Sequence, residues 1–389
     1  MEKGNETKRI LILDAYARQT LPIVRGFKKI GCDVTVVGFS KLDIGLSSKH
    51  PDHKIKLDCE KDDYEKQERL YRELIKSRKY DLVVPMTDYS ATILAKNKKE
   101  FSEHVHIAVA DKEIFDLAAN KQNTMRICKE NNIPSPQTIF SNDPLVDIEK
   151  SGMKYPLVIK PKSGCGSIGF NIVKSEEHLK EILEKQKETK DEFFIQDYIP
   201  SDGPQYGAEA YRDKNGEMSF VLINEKPRWF PLDGGSPTIN ITIHDEQMRD
   251  ITVRLLNSMN WQGYANIDFV MDKRDNTPKV LEVNARISAA ARIDEYAGIN
   301  VSKCIYEDAF CDKVSKYEDY EDGLRTSCLL TETLWFLKSK DRGKIKPSVF
   351  NRKKTKDVIF SANDLIPSIT FCLQSAKNYK HAMKQRERD

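Results

Sequence analysis

The segment VIKPKSGCGSIGF, residues Val158 to Phe170, is the most informative stretch for the fold. An apolar strand ends at Lys160, three glycines punctuate a short turn, and Phe170 begins the next strand. Backbone amides in such a turn can converge on phosphate oxygens, and Lys160 would add a positive charge. The lysine precedes the glycines and a strand follows them, so this is not the P-loop that leads from strand to helix. An ordinary glycine-rich hairpin turn is the alternative.

A second segment carries two carboxylates on neighbouring predicted strands, NIDFVM and VLEVNAR. Asp268 and Glu282 are fourteen residues apart and flank a turn, so antiparallel pairing would place them side by side, with Asn284 on the same face. Two carboxylates and an amide oxygen suit Mg²⁺ with bound phosphates. Arg286 continues this face and would neutralise a transferred phosphoryl group. A solvated acidic sheet face is the alternative.

The first hundred residues alternate apolar runs with amphipathic stretches, which predicts βαβ units and a parallel sheet. The predicted strands are Ile10–Leu13, Val34–Val37, Asp81–Pro85 and Val105–Val109. The loop after the first strand is DAYARQT, which lacks the GxGxxG pattern of dinucleotide-binding folds. Farther along, Asn215-Gly216 predicts a hairpin, and several such hairpins indicate an α+β region with antiparallel sheets.

Composition excludes several classes of protein. The 389 residues carry 63 Lys plus Arg and 60 Asp plus Glu, with 39% hydrophobic residues and no run long enough to span a bilayer. The near-neutral net charge of +3 argues against nucleic acid as the main partner. The eight cysteines include no CxxC pair, so we expect reduced thiols in a cytoplasmic protein without a signal peptide.

The two segments, in this order, resemble the ATP-grasp superfamily of carboxylate–amine ligases. The resemblance covers roughly residues 8–310 and is in particular to members similar to the carbamoyl phosphate synthetase large subunit and to D-alanine–D-alanine ligase. KPKSGCGSIG is similar to the family's phosphate-covering loop, LEVNARIS to its metal motif, and NKQNTMRICKENNIPSPQT to its entry helix. FFIQDYI is similar to the adenine hinge, with Asp197 where glutamate is usual. Gln205 stands where the family has a ribose-binding acid.

The resemblance implies a fold and three sets of site residues. A Rossmann-like α/β pre-ATP-grasp domain (1–111) would precede an α+β ATP-grasp domain with a small lobe (112–190), a large lobe (191–336) and a basic extension (337–389). The implied nucleotide-binding residues are Lys121, Lys160, Ser163, Gly164, Gly166, Ser167, Gly169, Gln196, Asp197, Tyr198, Ile199 and Gln205. The implied metal ligands are Asp268, Glu282 and Asn284, and the implied catalytic residues are Arg286 and Lys160.

The implied activity uses ATP and Mg²⁺, with Mn²⁺ as an alternative, to join a small-molecule carboxylate to an amine through an acyl phosphate. The glycine loop would close as a lid over this intermediate. Because Gln205 and Asp197 depart from the family pattern, a degenerate nucleotide-binding regulatory or scaffold protein is the second hypothesis. A homodimer is compatible with the sequence.

Four further residues are candidates for the substrate cleft. Arg228, in the loop PRWFPLDGGSPT, is predicted to bind a substrate carboxylate, and Ser288 and Arg292 to bind the acceptor. A surface loop packed by Trp229 and a structural ion pair of Arg292 are the alternatives. Asp88 could line the cleft, although a turn-capping role is favoured.

The C-terminal extension concentrates positive charge. Residues 337–389 carry +9, which leaves −6 for residues 1–336. A solvated helix is the favoured interpretation, and contact with a polyanion, an acidic membrane surface or a carrier is the alternative.

Overall fold

The computed structural model describes residues 7–140, 144–162, 171–189, 193–200, 203–232 and 235–386. The first hundred residues form a parallel sheet with helices on both faces. Its elements are β1 (Arg9–Ile12), α1 (Thr20–Lys29), β2 (Asp33–Gly38), α2 (Ile44–Ser47), β3 (His53–Lys56), α3 (Tyr64–Lys76), β4 (Leu82–Val84), α4 (Asp88–Lys96), α5 (Lys98–Phe101) and β5 (His106–Ile107). The order β3-β2-β1-β4-β5 confirms the predicted parallel sheet. Of the five strands, β3 was not predicted from the apolar pattern, because three of its four residues are polar and exposed.

A small four-stranded antiparallel sheet follows. The elements of this part are α6 (Lys112–Ala119), α7 (Lys121–Glu130), β6 (Thr138–Ile139), α8 (Pro144–Ser151), β7 (Leu157–Pro161), β8 (Asn171–Val173), α9 (Glu176–Thr189) and β9 (Phe193–Asp197). The strands are ordered β6-β9-β7-β8. Antiparallel pairing of Leu157 with Val173 brings β7 and β8 together on either side of the glycine-rich segment.

A seven-stranded sheet forms the larger part of the remaining chain. Its elements are β10 (Gln205–Arg212), β11 (Met218–Lys226), β12 (Trp229–Phe230), β13 (Ser236–Pro237), β14 (Ile239–Ile243), α10 (Glu246–Ser258), β15 (Gly263–Asp272), β16 (Thr277–Asn284), α11 (Arg292–Tyr296), α12 (Val301–Phe310) and β17 (Arg325–Ser327). The sheet is ordered β16-β15-β10-β11-β14-β17-β18, where β18 is the C-terminal strand Thr355–Asp357, and β12 pairs separately with β13. The hairpin predicted from Asn215-Gly216 is confirmed as β10–β11, with Gly216 at φ +86°.

The C-terminal residues are built into this fold rather than appended to it. They form α13 (Leu329–Lys338), β18 (Thr355–Asp357) and α14 (Ile366–Arg386). Strand β18 pairs in parallel with β17 and so extends the seven-stranded sheet. Helix α14 packs against α2 of the N-terminal sheet, and the two are linked by a hydrogen bond between the Ser47 and Thr370 hydroxyls at 2.9 Å.

Two apolar cores position the large sheet. One face packs against α6, α7 and α10 through side chains such as Ile267 and Phe269. The other face, through Tyr211, Phe220 and Tyr264, packs against β1, α1 and α12 and so joins the sheet to the N-terminal unit. The polar residues at one end of that second face lie where the N-terminal sheet, the small sheet and the large sheet meet. The seven cysteines in the described ranges are all free thiols.

Candidate active site

One register row across four strands defines the site. Asn224 on β11 pairs with Gly207 on β10, Gly207 pairs with Asp268 on β15, and Asp268 pairs with Glu282 on β16. Paired residues share a sheet face, so the two carboxylates predicted to be neighbours are directly opposite each other. In the adjacent row Asn284 faces Asn266. Its Nδ2 donates to Asn266 Oδ1 at 3.0 Å and to Asp268 Oδ2 at 3.1 Å, which holds the amide beside the Asp268 carboxylate.

Lys226 at the end of β11 belongs to the same cluster, although the sequence analysis did not identify it. Its Nζ lies 2.5 Å from Asp268 Oδ1, two strands away. Burial opposes the charge, but the Asp268 carboxylate, assisted by Glu209, raises the pKa of the Lys226 ammonium above its ordinary value. Conversely, Lys226 outweighs burial and lowers the pKa of Asp268. Gly207, the third residue of β10, was the available signal, because a glycine within a strand marks a position where another group approaches the backbone closely.

Two further lysines enter from the small sheet and its entry helix. Lys121, the first residue of α7, places its Nζ 3.1 Å from Glu282 Oε2. Its backbone N–H donates to the carbonyl of Lys162, which anchors the start of α7 beside the end of β7. Burial, together with the Lys121 charge, lowers the pKa of Lys160 on β7 to about 8, while Glu282 opposes that shift. Lys121 thus pairs with the Glu282 carboxylate, and Lys160 lies close enough to feel both charges; the phosphate-binding role of the two lysines stays a prediction.

Arg286 connects this cluster to the N-terminal sheet. Its Nε donates to Asp88 Oδ2 at 3.1 Å, just beyond the end of β4. The capping role that the sequence favoured for Asp88 belongs instead to Thr87, whose hydroxyl accepts from the Ser90 N–H. The Asp88 carboxylate therefore takes no part in capping α4 and instead accepts from Arg286, which belongs to the metal motif LEVNARIS. The ends of β1 and β4, where the strand order reverses, are the usual ligand crevice of an open parallel sheet.

Three predicted substrate residues make internal contacts. Arg228 is fully buried, and its guanidinium forms a two-pronged pair with Glu332 on α13, at 2.8 and 2.5 Å, and stacks over Trp335. The substrate role predicted for Arg228 is thus replaced by an internal one. Ser288 is buried and accepts from the Ala290 N–H. Arg292 pairs with Glu295, three residues along, as in the structural alternative.

The hinge residues lie at the end of β9. Gln196 is buried and donates to the Thr138 hydroxyl at 3.0 Å, while its Oε1 has no partner within the described ranges. The Asp197 carboxylate accepts from Arg274 at 2.6 Å. The Asp197 side chain is therefore engaged by protein, and the adenine-binding role of Tyr198 and Ile199, which follow directly, stays a prediction. Gln205 begins β10 and is exposed, opposite Lys226 and Val270.

The glycine-rich loop falls outside the described residues. Its predicted phosphate ligands are Ser163, Gly164, Gly166, Ser167 and Gly169, and their roles remain predictions.

The donor set fits a hard cation bound together with phosphate. Asp268 and Glu282 supply carboxylate oxygens, and Asn284 supplies an amide oxygen. Within the ranges described, no three His, Cys, Asp or Glu side chains are grouped to hold a metal by themselves, so further ligands would come from phosphate oxygens. On the same face Asn224 Oδ1 and Asn266 Nδ2 are buried without a protein partner in the described chain. Orphaned polar atoms beside paired charges are what a bound polar ligand would satisfy.

Part of this chain is similar in sequence to known proteins. Residues 118–290 match a family described as an ATP-grasp domain. The chain is 24% identical over 257 residues to a D-aspartate ligase of Enterococcus faecium, covering 61% of this chain and 60% of that protein. It is 27% identical over 179 residues to a D-alanine–D-alanine ligase of Clostridium perfringens, covering 43% of this chain and 57% of that protein. The chain thus spans about 60% of the length of these curated relatives.

Solved structures share the fold. Biotin carboxylase from Campylobacter jejuni superimposes with a TM-score of 0.68 at 15% identity, over 82% of this chain and 74% of that one. An L-amino acid ligase from Bacillus licheniformis gives a TM-score of 0.60 at 20% identity, over 78% and 74%. The parallel N-terminal sheet followed by two lobes is common to these proteins. The family match shows that residues 118–290 of this chain form an ATP-grasp domain.

Proposed function

We propose that this protein is an ATP- and Mg²⁺-dependent ligase that joins a small-molecule carboxylate to an amine through an acyl phosphate. The observation that carries the proposal is the convergence of Asp268, Glu282 and Lys226 in one cluster with Lys121. A magnesium ion in this position would draw negative charge from the phosphates and favour transfer of the terminal phosphoryl group.

The side chains have separable tasks in this reaction. Asp268, Glu282 and Asn284 would hold the metal, while Lys121 and Lys160 would hold nucleotide phosphates. Arg286, anchored by Asp88, would steady the phosphoryl group as the substrate carboxylate attacks it. The amine would then attack the acyl carbon, form the amide bond and release phosphate.

The relatives suggest which acids and amines to try first. Those reported above are named as ligases of aspartate, alanine and L-amino acids, so amino acids are the first candidates for both substrates. The chain covers only part of the curated relatives, so the substrates are a proposal of their own.

The test is a product screen. The protein is incubated with Mg²⁺-ATP and pools of amino acids, sugar acids and amines, with ADP release measured and products identified by mass spectrometry. A ligase releases ADP only when a matching acid is present, and it forms a product with the summed mass of acid and amine less one water. The matched control is Glu282→Gln, which keeps the shape but removes the charge. It should lower turnover at least about 100-fold while leaving the circular dichroism spectrum unchanged.

The second hypothesis, a nucleotide-binding protein without ligase turnover, is motivated by Gln205 and Asp197. It predicts tight nucleotide binding with no ADP release across the whole pool. A Glu282→Gln protein as active as the wild type would contradict the metal assignment.

A further inference from the structure

Helix α14 has one face seated on the N-terminal unit. Its inward-facing residues are Pro367, Thr370, Phe371 and Gln374. The Gln374 amide donates to Asp43 at 3.0 Å, and Thr370 contacts Ser47 of α2. The helix is therefore held in place by these polar contacts together with Phe371, which packs against a buried cluster that includes Leu21 and Ile44.

The opposite side of the same segment is apolar and exposed. We define the apolar stripe as Leu365, Ile366, Ile369 and Leu373; these side chains, and nearby Phe360, are each 50–60% exposed. Residues 365, 369 and 373 recur at four-residue spacing, so they lie along one helical row. A helix normally turns such a row toward the core, whereas here the apolar row faces outward. A contiguous exposed apolar surface of this kind indicates a binding surface.

The charge of α14 indicates what covers the stripe. Its sequence, IPSITFCLQSAKNYKHAMKQR, contains four Lys or Arg residues and no Asp or Glu. Lys377, Lys380 and Lys384 continue along the sequence the spacing set by Ile366, Ile369 and Leu373. A second copy of this chain would bring one cationic helix against another. A surface that is anionic outside and apolar beneath would attract the basic half of α14 and bury its apolar stripe.

We propose that α14 docks on an anionic lipid bilayer, with the apolar stripe buried at the interface and the basic half over the headgroups. Helices that combine an apolar face with lysines bind in the plane of a membrane surface, and anionic lipid attracts their positive charges. No helix in the described chain has the length and apolar character needed to cross a bilayer, so the contact is peripheral. This inference does not depend on the ligase reaction.

The test is sedimentation of the full-length protein with vesicles. Phosphatidylcholine vesicles containing phosphatidylglycerol should pull the protein down, and phosphatidylcholine alone should not. Ile369→Ser/Leu373→Ser should weaken binding roughly 100-fold, because each buried aliphatic side chain contributes about tenfold or more. Lys377→Gln/Lys380→Gln/Lys384→Gln should weaken it by about 100-fold, since each basic residue near the surface contributes roughly fivefold.

Val146→Ser is the matched control, because Val146 is an exposed aliphatic residue on α8, 40% exposed, and should leave binding unchanged. Equal binding to both kinds of vesicle, or to neither, would overturn the proposal. So would a dimer in light scattering that Ile369→Ser/Leu373→Ser converts to a monomer, since a second copy would then cover the stripe. Circular dichroism of each variant shows that the fold is retained.

Discussion

Lys226 reaches Asp268 across an intervening strand, with 2.5 Å between Nζ and Oδ1, and it does so over Gly207. A Cβ atom built at Gly207 would lie 2.7 Å from that Nζ and 2.8 Å from the Lys226 Cε. Real Cβ atoms essentially never lie at such distances. The contact between Lys226 and Asp268 therefore requires that position 207 has no side chain. The Lys226–Asp268 contact thus depends on a glycine two strand positions from Gln205.

Gly207→Ala should therefore inactivate the protein without unfolding it. The added methyl group meets the flexible end of Lys226, which can move, but moving takes the ammonium away from Asp268. We expect ATP turnover to fall by about 100-fold, the scale of losing one charged contact to a transition state, with thermal stability changed little. Gly343→Ala is the control, because a Cβ there meets open space and should leave both quantities unchanged. Full turnover by Gly207→Ala would show that Lys226 is dispensable.

Asp88→Asn should weaken substrate use more than nucleotide binding. The Asp88 carboxylate accepts from Arg286 Nε at 3.1 Å, and losing its charge releases the guanidinium from the N-terminal sheet. We expect kcat/KM for the carboxylate substrate to fall roughly tenfold, within the range for residues that orient a functional group. Nucleotide affinity, measured by calorimetry, should remain within about twofold, because Lys121, Lys160 and the carboxylates are untouched. A parallel loss of nucleotide affinity would place Asp88 in the nucleotide site instead.

Arg228→Met should destabilise the fold without a specific effect on substrate. The guanidinium is buried against Glu332 and also donates to the Pro347 carbonyl at 2.5 Å. Removing it leaves the Glu332 carboxylate buried and unpaired, which costs about 3–5 kcal/mol. Urea unfolding measures the loss, and Arg228→Met/Glu332→Leu should recover part of it. A variant with wild-type stability but a raised KM for the carboxylate would restore the substrate role.

Asp272 makes stability depend on acid pH. Its buried carboxylate accepts hydrogen bonds from Arg274 and from Lys279, and these contacts, Arg274 foremost, hold the pKa of Asp272 far below its usual range. A carboxyl with a lowered folded pKa contributes stability above its unfolded pKa of about 3.9 and loses it progressively as pH falls below that value. Asp272→Asn should cost about 3–5 kcal/mol at pH 7.

The difference in unfolding free energy between wild type and Asp272→Asn should shrink as pH is lowered from about 4. Asp250→Asn is the control, since Asp250 forms an exposed pair with Arg254 on α10 and should change stability by less than about 1 kcal/mol. A pH-independent difference would mean that the charge of Asp272 is not what stabilises the fold.

Local patterns in the sequence were sufficient for the parallel sheet, the β10–β11 hairpin and the pairing of Asp268 with Glu282. Strand periodicity decides which face a residue occupies, and a short turn decides its register, so two acids on one hairpin can be placed from spacing alone. The glycine-rich turn makes Lys160 a candidate and the resemblance adds Lys121, but the position of these lysines relative to Glu282 depends on how the small sheet folds over the large one.

Tertiary structure alone decided the partners of long charged side chains. Arg228 carries the chemistry for two-pronged carboxylate binding, but its carboxylate is Glu332, 104 residues away, and spacing cannot select among sixty acids. Lys226 belongs to the site because the intervening strand β10 has Gly207 at the position that Lys226 must cross to reach Asp268. Likewise, composition predicted a basic, solvated C-terminal helix, whereas its packing on α2 decided that the apolar row faces outward. Residue types determine which contacts are favourable, and the register of distant strands and helices determines which of them form.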